Sequence, residues 1–442
     1  MFEKGSNESK NFIKYFGSKK ALLAAGNSMT RSNFKKVANA AGVANDKVFM
    51  ANSYSEALEV MNKQKPEVII AEYQLGSNTS LELLGQHLKL FPNRLNSIFA
   101  LISEKNSLAL SCLAADAGVD AYITKPYTYD KLEKEFAKSV MDKVTPTHYL
   151  TKIEEAKIQL DNGNYEESLK ILTAAKTLDP NPCLALYYEA TIKYNQKDFT
   201  RAIELLKESI FHIPDHYKSL NLLLEIYINN NMNKEALEII ETLLKKYPPN
   251  PEKIPLYLKT FIRGEKYDSI IKFCDDFANY EEDNPHFKNY ISAGLAITGK
   301  YFVTKKDKEH ALSSLKKSQE YCNNNPNILA SIANSYIQID EPNEADKVLQ
   351  KLTEAGNSNP QFLVLDLEIR NKILPPTETF KMGMDLLKKG IKDPKVYEIL
   401  IQNSIILKRD EAKTRELVEE GSATHPTKKN EFEKIFIDAT KK

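Results

Sequence analysis

Histidine is the residue type whose spacing in this chain comes nearest to a metal site. His212 and His216 are four residues apart, the spacing at which two imidazoles on one helical face can bind a single ion. Pro214 lies between them and interrupts the helix that this geometry needs. No cysteine lies nearby to complete a ligand set. We therefore interpret both as turn histidines and predict neither a bound metal nor a cofactor.

The thiols are the second group with possible chemistry. Cys112, Cys183, Cys274 and Cys322 are widely separated and form no C-x-x-C pair. This distribution favours thiols in a reducing compartment over a disulfide framework. The opening residues MFEKGSNESK carry no apolar signal segment, and no apolar run reaches the length of a membrane span. We predict a cytoplasmic protein without a membrane span.

Sequence patterns of enzymes and of nucleic-acid binders are also missing. The 442 residues contain no G-x-x-x-x-G-K-[ST], G-x-S-x-G or H-E-x-x-H motif. Sixty-one Lys and Arg nearly balance sixty Asp and Glu, which leaves a net charge of +1 without the basic excess of a nucleic-acid binder. The expectation is a protein that is not an enzyme and does not bind nucleic acid.

The secondary-structure pattern of the sequence, which must position any functional site, changes near residue 145. Before it, five short apolar runs alternate with amphipathic helical patterns, as parallel central strands do. A helical pattern after the first run ends at Gly42, a predicted C-cap. Five such alternations predict a doubly wound α/β domain over 18–142, behind a leader at 1–17. The runs are 21–25, 48–51, 68–71, 97–102 and 121–124.

Behind a linker at 143–149, helical periodicity takes over and shows a repeat. Pro180, Pro214 and Pro248 follow one another at intervals of 34 residues. A fixed period of this size is typical of stacked helix–turn–helix units. A small residue lets the two helices approach, a large one fills the seam, and proline ends the second helix. The small and large residues before the three prolines are Ser168 and Leu172, Ala202 and Leu206, and Ala236 and Ile240.

This pattern resembles the tetratricopeptide repeat (TPR) family. The family's small, aromatic, small, large and proline positions are filled by Ala190, Tyr194, Ala202, Leu206 and Pro214, and the first four return at Ala333, Tyr336, Ala345 and Leu349. The resemblance implies an all-α superhelical solenoid at 150–426 with about eight hairpins and a possible capping helix at 427–442. It further implies that protein or peptide partners bind to the array.

The α/β domain resembles the receiver domain of two-component response regulators. The segment IleThrLysPro at 123–126 matches the end of the family's fifth strand, where an active-site lysine precedes a cis-proline. The segment at 66–75 matches the third strand, which ends at the phosphoacceptor. The resemblance implies a five-stranded parallel, flavodoxin-like sheet. It also implies Glu72 at the phosphoacceptor position and Ser103, Tyr122 and Lys125 at the switch positions.

The departures from the receiver pattern concern the chemistry. Family receivers bind Mg²⁺ through an acidic pair after the first strand, and alignment puts Ala25 and Gly26 there. Phosphoryl transfer needs a divalent ion to neutralise developing charge, and one carboxylate is too few to hold Mg²⁺. Glu72 is also one methylene longer than the usual aspartate. We therefore expect a degenerate receiver that is not phosphorylated in the usual Mg²⁺-dependent way.

Three interpretations of Glu72 stay open. The first is a solvated or salt-bridged carboxylate, paired with Lys125 because an unpaired buried charge is costly. The second is a constitutive mimic of the phosphorylated state that holds Ser103 and Tyr122 in the active arrangement. The third is a genuine acceptor that works without the usual metal.

The TPR resemblance also suggests where a partner would bind, since inner-helix residues face the groove in this family. Asparagine and lysine side chains can hydrogen-bond an extended peptide backbone or its carboxylate. The alternative, that these are ordinary exposed polar residues, stays open. The candidate groove residues are Lys157, Tyr187, Asn195, Lys218, Asn221, Asn229 and Asn334.

Together these patterns favour a non-enzymatic adaptor or scaffold in a bacterial-type signalling pathway. The repeats would hold a protein partner, while the receiver-like domain would dock a signalling protein near Tyr122. Two alternatives remain: a conventional phosphorylation-switched response regulator with the repeats as output, and a chaperone or secretion cofactor built chiefly on the repeats.

Overall fold

The computed structural model describes residues 6–104, 108–247, 250–277, 285–322, 324–354 and 359–440. Pro248 of the repeat pattern lies outside these residues. The chain forms two compact units, Met1–Gly264 and Glu265–Lys442. The first unit contains an α/β domain, here called the head (residues 6–144), and the beginning of the helical array. The second unit is helical throughout its described residues.

The head is built on a parallel sheet, as the alternating apolar runs predict. In space the strands run β2-β1-β3-β6-β7, so the order reverses beside β1 as in doubly wound sheets. Ala21 lies opposite both Val48 and Val68, which places β1 between its two neighbours. The predicted fold class is confirmed. The strands are β1 Ala21–Ala24, β2 Val48–Ala51, β3 Val68–Glu72, the two-residue antiparallel pair β4 Gln74–Leu75 and β5 Asn78–Thr79, β6 Ile98–Ser103 and β7 Ala121–Thr124.

Six helices cover the sheet on both faces. Successive strand residues point to opposite sides, so Leu23 packs in one core cluster and Leu22 in the other. The first cluster includes α1, α2 and α6, and the second includes α3, α4 and α5. Burial on both faces explains why the strands are almost uninterruptedly apolar. The helices are α1 Asn7–Phe16, α2 Ser28–Ala41, α3 Tyr54–Gln64, α4 Leu81–Leu90, α5 Leu108–Ala117 and α6 Tyr129–Val144.

Helix α1 lies inside the segment that the sequence pattern assigned to a leader. Its residues Phe12 and Phe16 are almost completely buried and belong to the core of the head. Gly42 ends α2 with a left-handed backbone (φ 116°), which confirms the predicted C-cap. A Cβ atom at Gly42 would lie 2.8 Å from the Cα atom of Ile13 in α1. Glycine is therefore needed here both for the turn and for the close approach of α1.

The first unit continues with helices that pack as antiparallel pairs. The predicted small residues Ser168, Ala202 and Ala236 are completely buried, and the Ser168 hydroxyl donates a hydrogen bond of 2.8 Å to the carbonyl of Ala156. Small side chains thus allow the two helices of a pair to approach. The helices are α7 His148–Asp161, α8 Tyr165–Lys176, α9 Cys183–Asn195, α10 Phe199–His212, α11 Tyr217–Asn229, α12 Asn233–Lys246 and α13 Ile254–Arg263.

The second unit repeats the same construction. Its small residues Ala311 and Ala345 are completely buried, and the final helix packs Phe432 and Phe436 against Tyr397. Its helices are α14 Tyr267–Phe277, α15 Pro285–Thr304, α16 Lys308–Tyr321, α17 Pro326–Gln338, α18 Pro342–Glu354, α19 Pro360–Ile373, α20 Pro376–Lys388, α21 Pro394–Ile406, α22 Glu411–Thr424 and α23 Lys429–Thr440. Among the described helices, none combines the length and apolar character required to cross a bilayer.

Candidate functional site

Glu72 and Lys125 meet at the carboxyl edge of the sheet in the head. Glu72 ends β3 and Lys125 follows β7, so the parallel strands bring both side chains to the same edge. The Lys125 ammonium donates to one carboxylate oxygen of Glu72, and the backbone N–H of Gly26 donates to the other at 3.0 Å. The carboxylate is 14% exposed. Both of its oxygens therefore have a partner from the protein itself.

The two positions of the expected acidic pair carry no side-chain oxygen. Their backbone carbonyls instead accept hydrogen bonds from Arg31 of α2, whose guanidinium donates to Ala25 O and, at 3.1 Å, to Gly26 O. Gly26 in turn donates to Glu72. This edge of the sheet thus holds one half-buried carboxylate bound by a lysine, and an arginine bound to the two neighbouring backbone carbonyls.

Lys125 is also in contact with Glu104, at 3.1 Å. Burial lowers the pKa of the Lys125 ammonium. The hydrogen bonds and negative charges of Glu72 and Glu104 together raise it by more, so the net pKa lies above its ordinary value. The lysine is therefore a permanent cation near neutral pH. Glu104 is 82% exposed, whereas Glu72 is mostly covered, so Glu72 is the partner that matters energetically.

The two remaining switch positions lie beside this edge. Ser103 ends β6, is almost completely buried, and its carbonyl accepts a 2.8 Å hydrogen bond from the N–H of Lys125. Tyr122 in β7 is half-buried and packs against the core cluster shared by α3, α4 and α5. The peptide bond between Lys125 and Pro126 is cis.

The residues at this edge do not fit a magnesium site. Mg²⁺ is bound by oxygen ligands, generally one or two carboxylates with water. Here the single covered carboxylate is already bound by Lys125, and the nearby carbonyls are bound by Arg31. Across the described residues, no cluster of three or more His, Cys, Asp or Glu side chains is placed to hold a metal ion.

His212 and His216, whose spacing in the sequence comes nearest to a metal site, lie apart from this edge. His212 ends α10, whereas His216 follows in the turn before α11, where its Nδ1 lies 2.8 Å from the hydroxyl of Ser219. Burial lowers the pKa of His216, and the charge of Lys218 lowers it further. The four cysteines are free thiols.

Four of the candidate groove residues lie on the first helices of the first unit's repeats. The Lys218 ammonium lies 6.0 Å and 5.9 Å from the ring centres of Tyr187 and Tyr188. Burial lowers the pKa of Lys218, and the charge of nearby Lys157 lowers it further. Lys218 is nonetheless exposed to solvent. A cation that is surrounded by protein yet reachable is typical of the wall of a groove.

Asn221 is the fourth of these residues, and both ends of its amide are already bound. Its Nδ2 donates to Tyr217 O at 2.9 Å, and its Oδ1 accepts from the Lys253 ammonium at 2.7 Å. Lys157 lies 3.6 Å from Glu154 on the same helix. These contacts tie the candidate groove to residues that the sequence pattern did not single out.

The other three candidates are exposed, and two of them lie at the ends of the same helices α9 and α11. Asn195 ends α9, and Asn229 ends α11, where its amide donates weakly to the Tyr194 hydroxyl at 3.4 Å. Asn334 lies on α17 in the second unit and accepts a 3.3 Å hydrogen bond from Gln338.

Sequence reasoning missed a contact between the head and the array. Asp116 at the end of α5 accepts a hydrogen bond from Asn250 at 2.7 Å and pairs with Lys253 at 3.0 Å. Nothing in the local spacing of these residues signals the contact, because they are 134 residues apart along the chain. An isolated aspartate at a helix end carries no information about its distant partner.

A second missed contact joins the base of the head to α7. Arg94 is buried and binds Asp120 at 2.6 Å and Ser97 at 2.7 Å. Its backbone N–H donates to the Glu154 carboxylate at 3.0 Å. Because Glu154 also pairs with Lys157, the head is linked to the first candidate groove residue.

Comparison with known proteins matches the helical part of the chain to repeat proteins. The family model of the anaphase-promoting complex (cyclosome) subunit 3 matches residues 161–243. The TPR repeat-containing protein YpiA of Bacillus subtilis (strain 168) is 22% identical over 219 residues, which cover 48% of this chain and 49% of that protein. The match thus spans about half the length of this curated relative.

Two solved structures of repeat proteins are among those similar to this chain. A tetratricopeptide repeat protein of Parabacteroides merdae is 16% identical, with 57% of this chain and 97% of that chain covered, at a TM-score of 0.31. YrrB, described as a TPR protein with an unusual peptide-binding site, is 14% identical, with 43% and 95% covered, at a TM-score of 0.32.

The residue pattern, the helix pairs and the family match agree on the class of the array. It is a tetratricopeptide repeat array, a class of repeat that serves protein–protein interaction.

Proposed function

We propose that this chain is a non-enzymatic signalling adaptor. Its repeats bind a protein partner along the inner face, and its head resembles a receiver that takes no phosphoryl group in the Mg²⁺-dependent way. The arrangement of strands in the head and the segments at 66–75 and 123–126 support the receiver resemblance. The comparisons contribute to the proposal only through the array.

One observation carries the proposal for the head. The site that would need a divalent cation is surrounded by the protein's own cations, because Lys125 binds Glu72 and Arg31 binds the carbonyls of Ala25 and Gly26. An added Mg²⁺ would face two positive side chains and a single covered carboxylate. Repulsion between like charges in a partly buried site disfavours such binding.

Of the three interpretations of Glu72, the paired carboxylate has the most support. Both carboxylate oxygens are bound, one by Lys125 and one by the Gly26 N–H. An attack on phosphorus needs an oxygen lone pair directed at the phosphoryl donor, and in this structure each oxygen already accepts a hydrogen bond from the protein. The same carboxylate supplies a permanent negative charge at the phosphoacceptor position, so a mimic of the phosphorylated state is compatible with this pairing.

Phosphorylation is tested with acetyl phosphate and Mg²⁺ on the intact chain. We expect no mass increase of one phosphoryl group in intact-protein mass spectrometry. Gly26→Asp combined with Glu72→Asp serves as the positive comparison, since a Cβ atom at Gly26 would meet no atom within 4 Å. An adduct on the wild type that disappears in Glu72→Gln would refute the proposal for the head and favour the conventional response regulator.

The proposal for the array depends on the cluster of Lys157, Tyr187, Lys218 and Asn221. It combines cations, an aromatic ring and an amide on one inner face, which are the groups that bind an extended peptide and its carboxylates. Lys218 in particular keeps a large reachable area although protein surrounds it. A partner with acidic groups would therefore meet a preformed cation there.

The groove is tested by affinity capture with the full-length chain. Lys218→Glu combined with Asn221→Ala should reduce partner capture about tenfold or more, the effect of losing about 1.4 kcal/mol of binding free energy. Lys234→Glu, an exposed position on α12, is the matched control with the same charge change. Unchanged capture by the folded groove variant, with helix content equal by circular dichroism, would remove this assignment.

A further inference from the structure

The head touches the array through the end of α5. Asp116 accepts a hydrogen bond from Asn250 at 2.7 Å and forms an ion pair with Lys253 at 3.0 Å. Lys253 is held further by the amide oxygen of Asn221 at 2.7 Å and lies 5.3 Å from the ring centre of Tyr217. An aspartate of the head is thus the central anion of a polar cluster on the repeats.

Aromatic residues of the array surround the same part of α5. Burial raises the pKa of Tyr217, and a hydrogen bond to Asp116 raises it further. Burial also raises the pKa of Tyr257, to which the charges of Asp116 and Cys112 add. Cys112, one helical turn before Asp116, is only 9% exposed. The helix therefore presents a thiol and a carboxylate to the inner helices α11 and α13.

This contact uses groups that the proposed partner would need. Both ends of the Asn221 amide are engaged, one with Tyr217 and the other with Lys253. At the first repeat, Lys157 pairs with Glu154, which accepts the backbone N–H of Arg94 from the head. The head thus holds Lys253 and Glu154, the partners of Asn221 and Lys157, so a peptide bound at either residue would lie next to the head.

We propose that the head is a built-in competitor for the inner face of the first four repeats, with the ion pair of Asp116 and Lys253 as its latch. In the closed state the head covers part of the face, and release of the latch lets the head move and exposes Lys157 and Asn221. This inference rests on the proposed function of the array, but the latch itself can be tested without any partner.

The latch is tested on the full chain by the rate at which a thiol reagent modifies Cys112. Lys253→Glu puts two like charges at the contact, and we expect labelling of Cys112 to accelerate about tenfold or more, as the loss of a charge-assisted hydrogen bond predicts. Burial raises the pKa of the Cys112 thiol, the charge of Asp116 raises it further, and the charge of Lys253 opposes them, so removal of Lys253 makes the thiol chemically less reactive. Faster labelling can then come only from greater exposure.

Matched measurements separate the latch from general unfolding. Mass spectrometry reads every cysteine, and buried Cys183 in α9 should keep its slow rate. Lys259→Glu, at an exposed position on α13, makes the same charge change away from the contact and should leave Cys112 slow. The charge swap, Lys253→Glu with Asp116→Lys, should return Cys112 to within about threefold of the wild-type rate.

Movement of the whole head is tested by acetylation of Lys157 with an acetyl ester of N-hydroxysuccinimide. Asp116→Lys changes only the head, and it should accelerate acetylation of Lys157, whose side chain is 24% exposed, but not that of Lys170, which is 73% exposed. Faster Cys112 labelling with unchanged acetylation of Lys157 would show local fraying of α5 and overturn the proposal.

Two further outcomes also decide the proposal. The proposal is overturned if Cys112 in the Lys253→Glu variant is labelled at the wild-type rate. If Cys183 accelerates together with Cys112, the charge swap decides: recovery of both slow rates supports the latch, and continued fast labelling overturns it. Failure of partner capture by Lys253→Glu, once its Cys112 labelling shows that the latch is open, would instead refute the proposed function of the array.

Discussion

The head should lose stability in mild acid because of one buried histidine. His87 in α4 is completely buried, its Nε2 lies 3.2 Å from the carbonyl of Glu67, and its Nδ1 faces Arg94 at 3.4 Å. Burial lowers the pKa of His87, and the charge of Arg94 lowers it further, to about 3. The neutral ring donates from Nε2 to the carbonyl and accepts from the guanidinium. A second proton would leave two cations facing each other.

The size of the effect follows from the two protonation states. An unfolded histidine has a pKa of about 6.5, so between that value and the folded value the unfolded chain binds a proton that the folded head does not. Acid therefore favours unfolding. With these values the free energy of unfolding falls by about 2 kcal/mol between pH 7 and pH 5, and the loss continues toward pH 3.

The assay is hydrogen exchange of the central strands β3 and β6, converted to an opening free energy at each pH. His87→Gln keeps a neutral amide that can donate to Glu67, and it should abolish this part of the pH dependence while carboxylates remain unchanged. The difference between the two slopes isolates the histidine. Equal slopes for wild type and His87→Gln from pH 7 to pH 5 would refute the reasoning, because they would mean that the ring already carries its proton when folded.

Two further predictions concern buried polar contacts. Lys125→Met should destabilise the head by about 2 kcal/mol, because Glu72 loses its charged partner. Glu104→Gln, at the exposed partner, should change stability by less than about 0.5 kcal/mol. Thermal unfolding measures both, and a smaller loss for Lys125→Met would contradict the pairing. Asn403 is 3% exposed and donates to Asn371 at 2.7 Å and Thr379 at 2.9 Å. Asn403→Leu should therefore cost the second unit about 1–3 kcal/mol in opening free energy by hydrogen exchange, and exposed Gln402→Leu should cost almost nothing.

The architecture was largely readable from the sequence. Strands buried on both faces are apolar along their whole length, and a repeat of 34 residues marks the first three helix pairs with a small residue at the seam. Ser168 and Ala202 are completely buried, as that pattern requires. Such signals are local or periodic, so they need no knowledge of distant contacts. The role of α1 was missed because its phenylalanines meet their partners only after the chain has folded.

Some residues of the candidate sites were predicted from the sequence, and others were found only in the folded structure. Local motifs identified Glu72 and Lys125 as residues of one sheet edge, because each follows a predicted strand. The positions of Arg31 beside that edge and of Asp116 against Lys253 required the folded chain.

The sequence by itself determined a parallel α/β head, a TPR array and the absence of acidic residues at Ala25 and Gly26. Only the tertiary structure decided that Arg31 binds the carbonyls of these two residues and that Asp116 of the head contacts the array. Charged and polar groups interact strongly over only a few ångströms in space, and nothing in the sequence indicates that two residues 134 positions apart will be in contact. The folded first unit places Asp116 of its head against Asn250 and Lys253 of the array, a contact that no repeat position predicts.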